Sequence, residues 1–200
     1  MNQTILFIVV FILVSISTIS LQITFQKSKQ KKIFELLKSG DIQAVEHELN
    51  SASCRMLIPA FNREFIKLNA YLLNQKTDKI DEQFDILFKT KMNDQQRKEA
   101  LLKAFEYYVQ LKDKEKSSAL LQEIKNLDDY GLAAHSQMLY DILIDKSTNY
   151  IDVLTAKQNE GNNMNRGMNA YLISLQYGYL NKKDKEKEYL EKSKKYFTTK

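Results

Sequence analysis

Apolar residues after position 32 recur every three or four positions, which is the spacing of one face of an α-helix. The clearest stripes are Ile33, Phe34, Leu36 and Leu37; Phe61, Phe65, Ile66, Leu68, Leu72 and Leu73; Leu101, Leu102, Phe105, Tyr108 and Leu111; and Leu172, Leu175, Tyr179 and Leu180. No stretch alternates strictly between apolar and polar residues, so no β-strand is predicted. The pattern predicts an all-α protein in which each helix buries its stripe against another helix.

Residue types that cap helix N-termini recur along the chain with a nearly constant period. They are Asp41, Asp78, Asp113, Asn149 and Asp184, which are separated by 37, 35, 36 and 35 residues. The side-chain oxygen of each can accept a hydrogen bond from a backbone amide one turn later. We therefore expect each of them to open the second helix of a helical hairpin.

Two segments carry a resemblance to a known family. Residues 106–117 (EYYVQLKDKEKS) and 178–190 (GYLNKKDKEKEYL) are similar to the end of the first helix, the turn and the start of the second helix in tetratricopeptide repeats. The resemblance covers about residues 33–198 and implies an α-solenoid of four or five antiparallel hairpins. The chain lacks Trp and the Pro that usually closes each repeat, so the repeats are degenerate. An irregular helical bundle is the alternative.

Three local signals refine the predicted helix boundaries. Pro59 suits the first turn of a helix, so a helix is expected to start near Ile58. Residues 159–167 contain four Asn and two Gly and are predicted to form a loop. A helix is expected over Gly131 to Asp145, with Asp128 and Asp129 preceding it as favourable charges at its positive end.

The N-terminal segment differs from the rest of the chain. Residues 1–4 form a short N-terminus. They are followed by 21 uncharged residues from Ile5 to Phe25, a run long enough to cross a bilayer as one helix. A cleaved secretory signal is the alternative, but it needs a basic start and a small-residue cleavage site. Neither is evident here. The segment 5–25 is therefore predicted to be a transmembrane helix and an uncleaved anchor.

Basic residues directly follow that segment. Lys27, Lys29, Lys31 and Lys32 lie in residues 26–32, a predicted juxtamembrane segment whose charges would contact anionic headgroups. Basic segments next to a transmembrane helix usually stay on the cytoplasmic side of the membrane. The protein is therefore expected in the cell membrane, with residues 33–198 in the cytoplasm. The remaining chain has 26 basic against 25 acidic residues, so the pI near 9 does not predict a nucleic-acid partner.

The residues that commonly carry chemistry form no pattern in this chain. Cys54 is alone and is predicted to be a small buried residue near a helix start, and His47 is predicted to be exposed. His135 lacks the partners of a metal site. No phosphate loop or hydrolase motif is present. We therefore expect no enzyme activity, cofactor, metal or small-molecule ligand.

Tyrosines form the densest aromatic group of the chain. Tyr107, Tyr108, Tyr140, Tyr171 and Tyr177, with Tyr179, would line a concave partner groove in a solenoid, although packing between helices explains the same spacing. The resemblance and the anchor together predict a membrane-tethered scaffold or assembly adaptor that binds a protein partner through its repeat surface. The alternative is an exported-face assembly or chaperone-like factor, with the repeats outside the cytoplasm.

Overall fold

The computed structural model describes residues 25–198, and every regular element among them is a helix. The helices are α1 (residues 25–39), α2 (Ile42–Asn50), α3 (Ala52–Leu57), α4 (Ala60–Leu73), α5 (Thr77–Lys89), α6 (Asp94–Gln110), α7 (Lys114–Lys125), α8 (Tyr130–Leu143), α9 (Ile151–Ala156), α10 (Asn163–Tyr179) and α11 (Lys183–Thr198). The all-α class is therefore confirmed for this part of the chain.

The predicted single-pass membrane anchor is corrected. Within residues 25–198, no helix combines the length and the apolar character that are needed to cross a bilayer. The predicted span at 5–25 lies outside the described residues except for Phe25, and Phe25 belongs to a helix that carries four Lys within its next seven positions. Such a density of charge is unsuited to a hydrocarbon core. The structure thus gives no support to a single-pass membrane protein.

The chain divides between Ala100 and Leu101 into two compact units, here called the N-terminal and the C-terminal unit. The core of the N-terminal unit contains Cys54, which is fully buried. The cluster around Cys54 consists of Ile33, Val45, Leu49, Cys54, Ile58 and Ala70, with Leu36, Leu37, Leu57 and Ile66 partly buried against it. Of the predicted stripe on α1, Ile33, Leu36 and Leu37 pack against this cluster, whereas Phe34 is 55% exposed. The predicted burial of Cys54 is confirmed.

The C-terminal unit has its own buried apolar residues. They include Leu101, Phe105, Leu121, Ile124, Ile142, Leu154, Leu172 and Ile173, which are each at most 3% exposed. Helices α10 and α11 pack along each other, and α10 also contacts α8 and α9. A three-residue connection, Leu180 to Lys182, joins α10 to α11, so the two helices run antiparallel. Helix α10 is therefore supported along its length.

A turn with one left-handed residue recurs between the helices. The residues with positive φ are Gly40, Gln75, Lys112, Lys146, Gly161 and Asn181, and five of them, all except Gly161, lie 35, 37, 34 and 35 residues apart. At three of these turns the residue after the left-handed one donates its amide to a tyrosine carbonyl: Lys76 to Tyr71, Asp113 to Tyr108 and Lys182 to Tyr177, at 3.0, 3.0 and 2.9 Å. This is the Schellman arrangement that satisfies the last carbonyls of a helix.

The helix starts that follow these turns also keep a regular interval. They fall at Ile42, Thr77, Lys114, Ile151 and Lys183, which are 35, 37, 37 and 32 residues apart. Asp41 caps α2 by accepting from the amide of Ala44 at 2.9 Å, and Asp113 caps α7 by accepting from Lys116 at 3.0 Å. For these two residues the predicted capping role is confirmed.

The other three predicted caps are wrong in position. Asp78 and Asp184 lie inside the first turns of α5 and α11, because the Schellman turn already starts each helix at the preceding residue. There a carboxylate still interacts favourably with the helix dipole. Asn149 precedes Tyr150, which is the cap of α9, and the amide of Asn149 instead donates to Ser147 Oγ at 3.3 Å.

Two further boundaries differ from the prediction. Pro59 is the N-cap of α4, so the helix begins at Ala60 rather than near Ile58. The predicted loop at 159–167 is wrong from residue 163 onward, because Asn162 caps α10 by accepting from the amide of Asn165 at 2.9 Å. Gly167 then lies inside α10, where its missing Cβ leaves room for the Phe197 ring of α11.

Candidate functional site

A groove of about 970 Å³ in the C-terminal unit is the main candidate site, and we call it the α10 groove. Its walls come from α10, from α8 and from the end of α6, and residues of the segment after α9 also line it. The lining residues are Glu106, Val109, Gln110, Lys112, His135, Leu139, Leu143, Lys157, Glu160, Gly161, Met164, Asn165, Met168, Asn169, Tyr171, Leu172, Leu175 and Tyr179. The volume lies at the upper end of the range of pockets that hold drug-sized ligands.

The α10 wall is an apolar stripe at helical spacing. Met164, Met168, Leu172, Leu175 and Tyr179 follow one another at intervals of four, four, three and four residues, so they share one face of the helix. Fifteen residues of helix separate the first from the last, which makes the stripe about 22 Å long. Met164 is 63% exposed and Met168 is 40% exposed. The N-terminal part of this apolar face, at Met164 and Met168, is therefore open to solvent, whereas Leu172 is buried.

The opposite wall is shorter and less exposed. His135, Leu139 and Leu143 repeat at intervals of four along α8, and Leu139 is 8% exposed. Val109 adds an apolar side chain from the last turn of α6 and is 2% exposed. Leu139 and Val109 are buried, Leu143 is half-buried and His135 is exposed, so the apolar centre of this wall is held by the core.

The charges around the groove cancel. Glu106 and Glu160 supply two carboxylates, and Lys112 and Lys157 supply two ammonium groups. His135 lies on the same wall of the groove as Leu139 and Leu143. The groove therefore presents an apolar centre with a charged rim of no net charge, which is the usual composition of a protein interface.

Helix α11 holds α10 in place. Ser193 Oγ donates to the carbonyl of Gly167 at 2.9 Å, and this bond is buried. Gln176, fully buried on α10, accepts from the amide of Tyr150 at 2.9 Å and donates to the carbonyl of Leu172 at 3.1 Å. Burial also raises the pKa of Tyr179 at the end of the stripe. The bonds with Ser193 and Tyr150 join α10 to α11 and to the start of α9, so they fix the orientation of α10 relative to its neighbours in the unit.

The structure brings only Tyr171 of the five predicted groove tyrosines to the groove, together with Tyr179. Tyr108 and Tyr140 are 7% and 8% exposed and belong to the core. The ring of Tyr107 packs edge-on against that of Tyr108, with centroids 5.1 Å apart. These placements follow the packing alternative, in which helical spacing points a tyrosine into a helix interface.

Tyr177 lies elsewhere as well. Its ring packs against Tyr189 of α11, with centroids 5.6 Å apart, and so joins the α10 and α11 interface. The groove is instead lined by Met164, Met168 and the α8 side chains, which sequence reasoning did not assign to it. The signal was the interval of four from Met164 to Met168 to Leu172. The Asn-rich composition around Met164 concealed that signal, because it favours a loop.

The four predicted membrane-surface lysines separate into two pairs. Lys29 and Lys32 bind the two carboxylate oxygens of Glu48, at 2.6 and 2.5 Å, whereas Lys27 and Lys31 are exposed on α1. The two ammonium groups lower the pKa of Glu48 to about 2. Two of the four charges therefore connect α1 to α2.

In the part of the chain that the structure describes, neither histidine belongs to a group of side chains that could bind a metal ion. His47 is exposed, as predicted, and His135 lies in the α10 groove. Within residues 25–198, no three His, Cys, Asp or Glu side chains are grouped closely enough to hold a metal ion. The α10 groove therefore presents side chains suited to contact and burial.

Comparison of the chain with protein-family models, with curated proteins and with solved structures finds no match. The resemblance to tetratricopeptide repeats accordingly stays a prediction.

Proposed function

We propose that this protein is a non-catalytic scaffold or assembly adaptor that binds an amphipathic helix of a partner protein in the α10 groove. The observation that carries the proposal is the apolar stripe of α10, which is exposed at Met164 and Met168. Contiguous apolar surface that stays open in a folded chain commonly marks a binding site. Here the stripe also has a facing wall on α8, so a partner would be contacted from two sides.

The spacing of the walls favours a helix as the occupant. Side chains at intervals of three and four form ridges, and another helix packs its own ridges into the grooves between them. The 22 Å stripe matches about four helical turns. The partner segment would present aliphatic side chains at helical spacing toward α10, and its polar face would meet the charged rim.

Methionines suit this role. The Met side chain is unbranched and polarizable, so it adapts to differently shaped apolar partners. Met164 and Met168 are the most exposed side chains of the stripe and stand one turn apart. The affinity for a partner helix is therefore expected to depend on Met164 and Met168 more than on Leu172, which is 1% exposed and already packed against other helices.

Site-specific photo-crosslinking tests the proposal. A photoreactive residue at position 168 in the full chain should capture one defined segment of a partner in cells, and the same residue at Val153 should not. Val153 is the matched control because it is apolar, 49% exposed and outside the groove lining. The captured segment, made synthetically, should be helical when bound to the purified chain.

Affinity measurements complete the test. Met168→Glu should weaken binding of that segment at least about tenfold, which corresponds to 1.4 kcal/mol, because it places a charge in the apolar contact. Val153→Glu should leave the affinity unchanged. Equal capture at both positions, or equal loss in both variants, would contradict a groove-specific partner.

A further inference from the structure

Two exposed methionines of the chain lie in the α10 groove. Among residues 25–198, the methionines that are exposed to solvent are Met56, Met164 and Met168, at 84%, 63% and 40%. Met56 is in the last turn of α3, outside the groove lining. Met92 and Met138 are half-buried. The side chains of Met164 and Met168 are therefore within reach of reagents dissolved in water.

A thioether that faces solvent can be oxidised by hydrogen peroxide. A lone pair on sulfur attacks one peroxide oxygen, so that an S–O bond forms while the O–O bond breaks. Sulfur gives up two electrons, and the departing hydroxide takes the proton of the transferred oxygen and leaves as water. The product, methionine sulfoxide, is polar and chiral, whereas the thioether is apolar. The reaction needs peroxide as the oxidant and no catalytic group of the protein.

Both methionines lie in the open part of the apolar stripe. Met164 and Met168 are one helical turn apart on the same face of α10, and the next residue of the stripe, Leu172, is 1% exposed. Oxidation of the pair would therefore place two polar groups side by side on the surface that a partner helix covers. The buried part of the stripe would keep its apolar contacts.

The packing of α10 does not depend on these two side chains. Ser193 Oγ donates to the carbonyl of Gly167 at 2.9 Å, and the amide of Tyr150 donates to Gln176 at 2.9 Å. Ile173 is fully buried on the same helix. Neither bond involves a methionine, so oxidation should change the surface of the groove while α10 stays packed.

A sulfoxide in the groove opposes contact with an apolar partner. In the free chain, water donates hydrogen bonds to the sulfoxide oxygen. An aliphatic side chain of a partner helix has no hydrogen-bond donor to replace that water, and a polar group that is buried without a partner costs free energy. The affinity of the groove for an apolar helix face should therefore fall on oxidation.

We propose that oxidation of Met164 and Met168 to sulfoxides by hydrogen peroxide releases the partner from the α10 groove. Methionine sulfoxide reductases, which act on the two sulfoxide epimers separately, would restore the thioethers and the binding. The inference rests on the proposed function, because it requires a groove that binds an apolar helix face. Partner binding would thereby respond to the peroxide level around the protein.

Peptide mapping by mass spectrometry tests the chemistry without any partner. During timed treatment of the full chain with hydrogen peroxide, Met164 and Met168 should be oxidised at least about threefold faster than the half-buried Met92 and Met138, because the reagent must reach the sulfur. Far-ultraviolet circular dichroism should stay unchanged once both are oxidised. Oxidation of Met164 and Met168 no faster than that of Met138, or a loss of helicity, would overturn the proposal.

Binding of the apolar dye Nile red tests the switch. The affinity of the full chain for the dye should fall at least about tenfold after Met164 and Met168 have been oxidised. The double variant Met164→Leu, Met168→Leu keeps an apolar groove without sulfur, so peroxide should not change its affinity. Met56→Leu is the matched control, because it removes an exposed methionine outside the groove, and it should lose affinity as the unaltered chain does.

The outcomes distinguish failure of the redox switch from failure of the proposed function. Equal dye affinity before and after oxidation, or the same loss in the double leucine variant, would overturn the switch alone. Absence of dye binding to the reduced chain would contradict an open apolar groove, so the proposed function and the switch would fail together. Reductase treatment of the oxidised chain should restore the affinity, and no recovery would overturn the proposed reversal.

Discussion

Lys29 Nζ lies 2.6 Å from Oε1 of Glu48, a carboxylate on α2 that is only 5% exposed. Lys32 binds the other oxygen, and Cys54 Sγ lies 3.7 Å from Oε1. A buried carboxylate with two ammonium partners loses much more when one partner is removed than an exposed ion pair does. The connection between α1 and α2 therefore depends on the ionised form of Glu48.

The first prediction concerns acid stability. The pKa of Glu48 is lowered from 4.5 to about 2, so its contribution to stability is present above pH 4.5 and is lost as the pH falls toward 2. Glu48→Gln should lower the free energy of unfolding by about 2 to 3 kcal/mol at pH 7 and should flatten its dependence on pH between 4.5 and 2. Urea unfolding followed by circular dichroism measures both. Glu35→Gln, at an exposed position of α1, is the control and should change neither.

The ion pairs of Glu48 also show where sequence reasoning stops. The positions of Lys29 and Lys32 indicated a basic cluster after an apolar segment, and from sequence that cluster favoured headgroup contact. The pairing partner lies 19 residues from Lys29 and 16 residues from Lys32. Glu48 was not predicted as a partner, because a charge on one helix reveals nothing about which face of the next helix will meet it.

Local signals were more reliable than distant ones. Asp41 and Asp113 were correctly predicted as caps, since a cap forms its hydrogen bond within three residues. The left-handed turns were not predicted, because Gln75 and Lys112 are not residue types that favour positive φ. The groove position of Met164 was not predicted for a related reason, because the Asn and Gly residues around it favour a loop. In the structure Asn162 caps the N-terminus of α10, and Gly167 lies inside α10 against the ring of Phe197.

The second prediction concerns the left-handed turns. Gln75 has φ of 53°, a conformation that costs about 1 kcal/mol for a residue with a Cβ and very little for glycine. Gln75→Gly should therefore raise the free energy of unfolding by about 0.5 to 1 kcal/mol. The same change at Gln122, an exposed position inside α7, should lower it by about 1 kcal/mol. Thermal unfolding of the two variants should shift in opposite directions, and shifts of the same sign would contradict the turn assignment.

The third prediction concerns the contact between α10 and α11. A Cβ on Gly167 would come within 2.7 Å of Phe197 Cε1, which is too close for the ring to stay in place. Inside a helix alanine is favoured over glycine by about 1 kcal/mol, and displacing the 46% exposed Phe197 ring offsets that gain, so Gly167→Ala alone should change the free energy of unfolding by less than about 1 kcal/mol. Phe197→Ala removes the obstructing ring, so Gly167→Ala in that background should be more stabilising than in the unaltered chain. A double-mutant cycle measures the difference, and a coupling energy near zero would contradict direct contact.

The fourth prediction concerns alkaline stability. Tyr150 Oη donates to Oδ2 of Asp141, and this bond raises the pKa of Tyr150 from 10.0 to about 12. Its contribution to stability is present below pH 10 and is lost as the pH rises toward 12. Tyr150→Phe should lower the free energy of unfolding by about 1 kcal/mol at pH 8. Phenolate absorbance should show that the group titrating near pH 12 has disappeared. Tyr130→Phe, at a residue that is 89% exposed, should change neither quantity.

The packing of α11 along α10 has a consequence for how the α10 groove would recognise a partner. Because Ser193 and Phe197 contact the backbone of α10 at Gly167, the helix that carries Met164 and Met168 is held before any partner arrives. The groove then adjusts to a partner through the rotamers of Met164 and Met168, while the main chain of α10 keeps its conformation. Binding to such a preorganised wall requires little loss of backbone entropy, so even a short helical segment retains most of its contact energy as affinity.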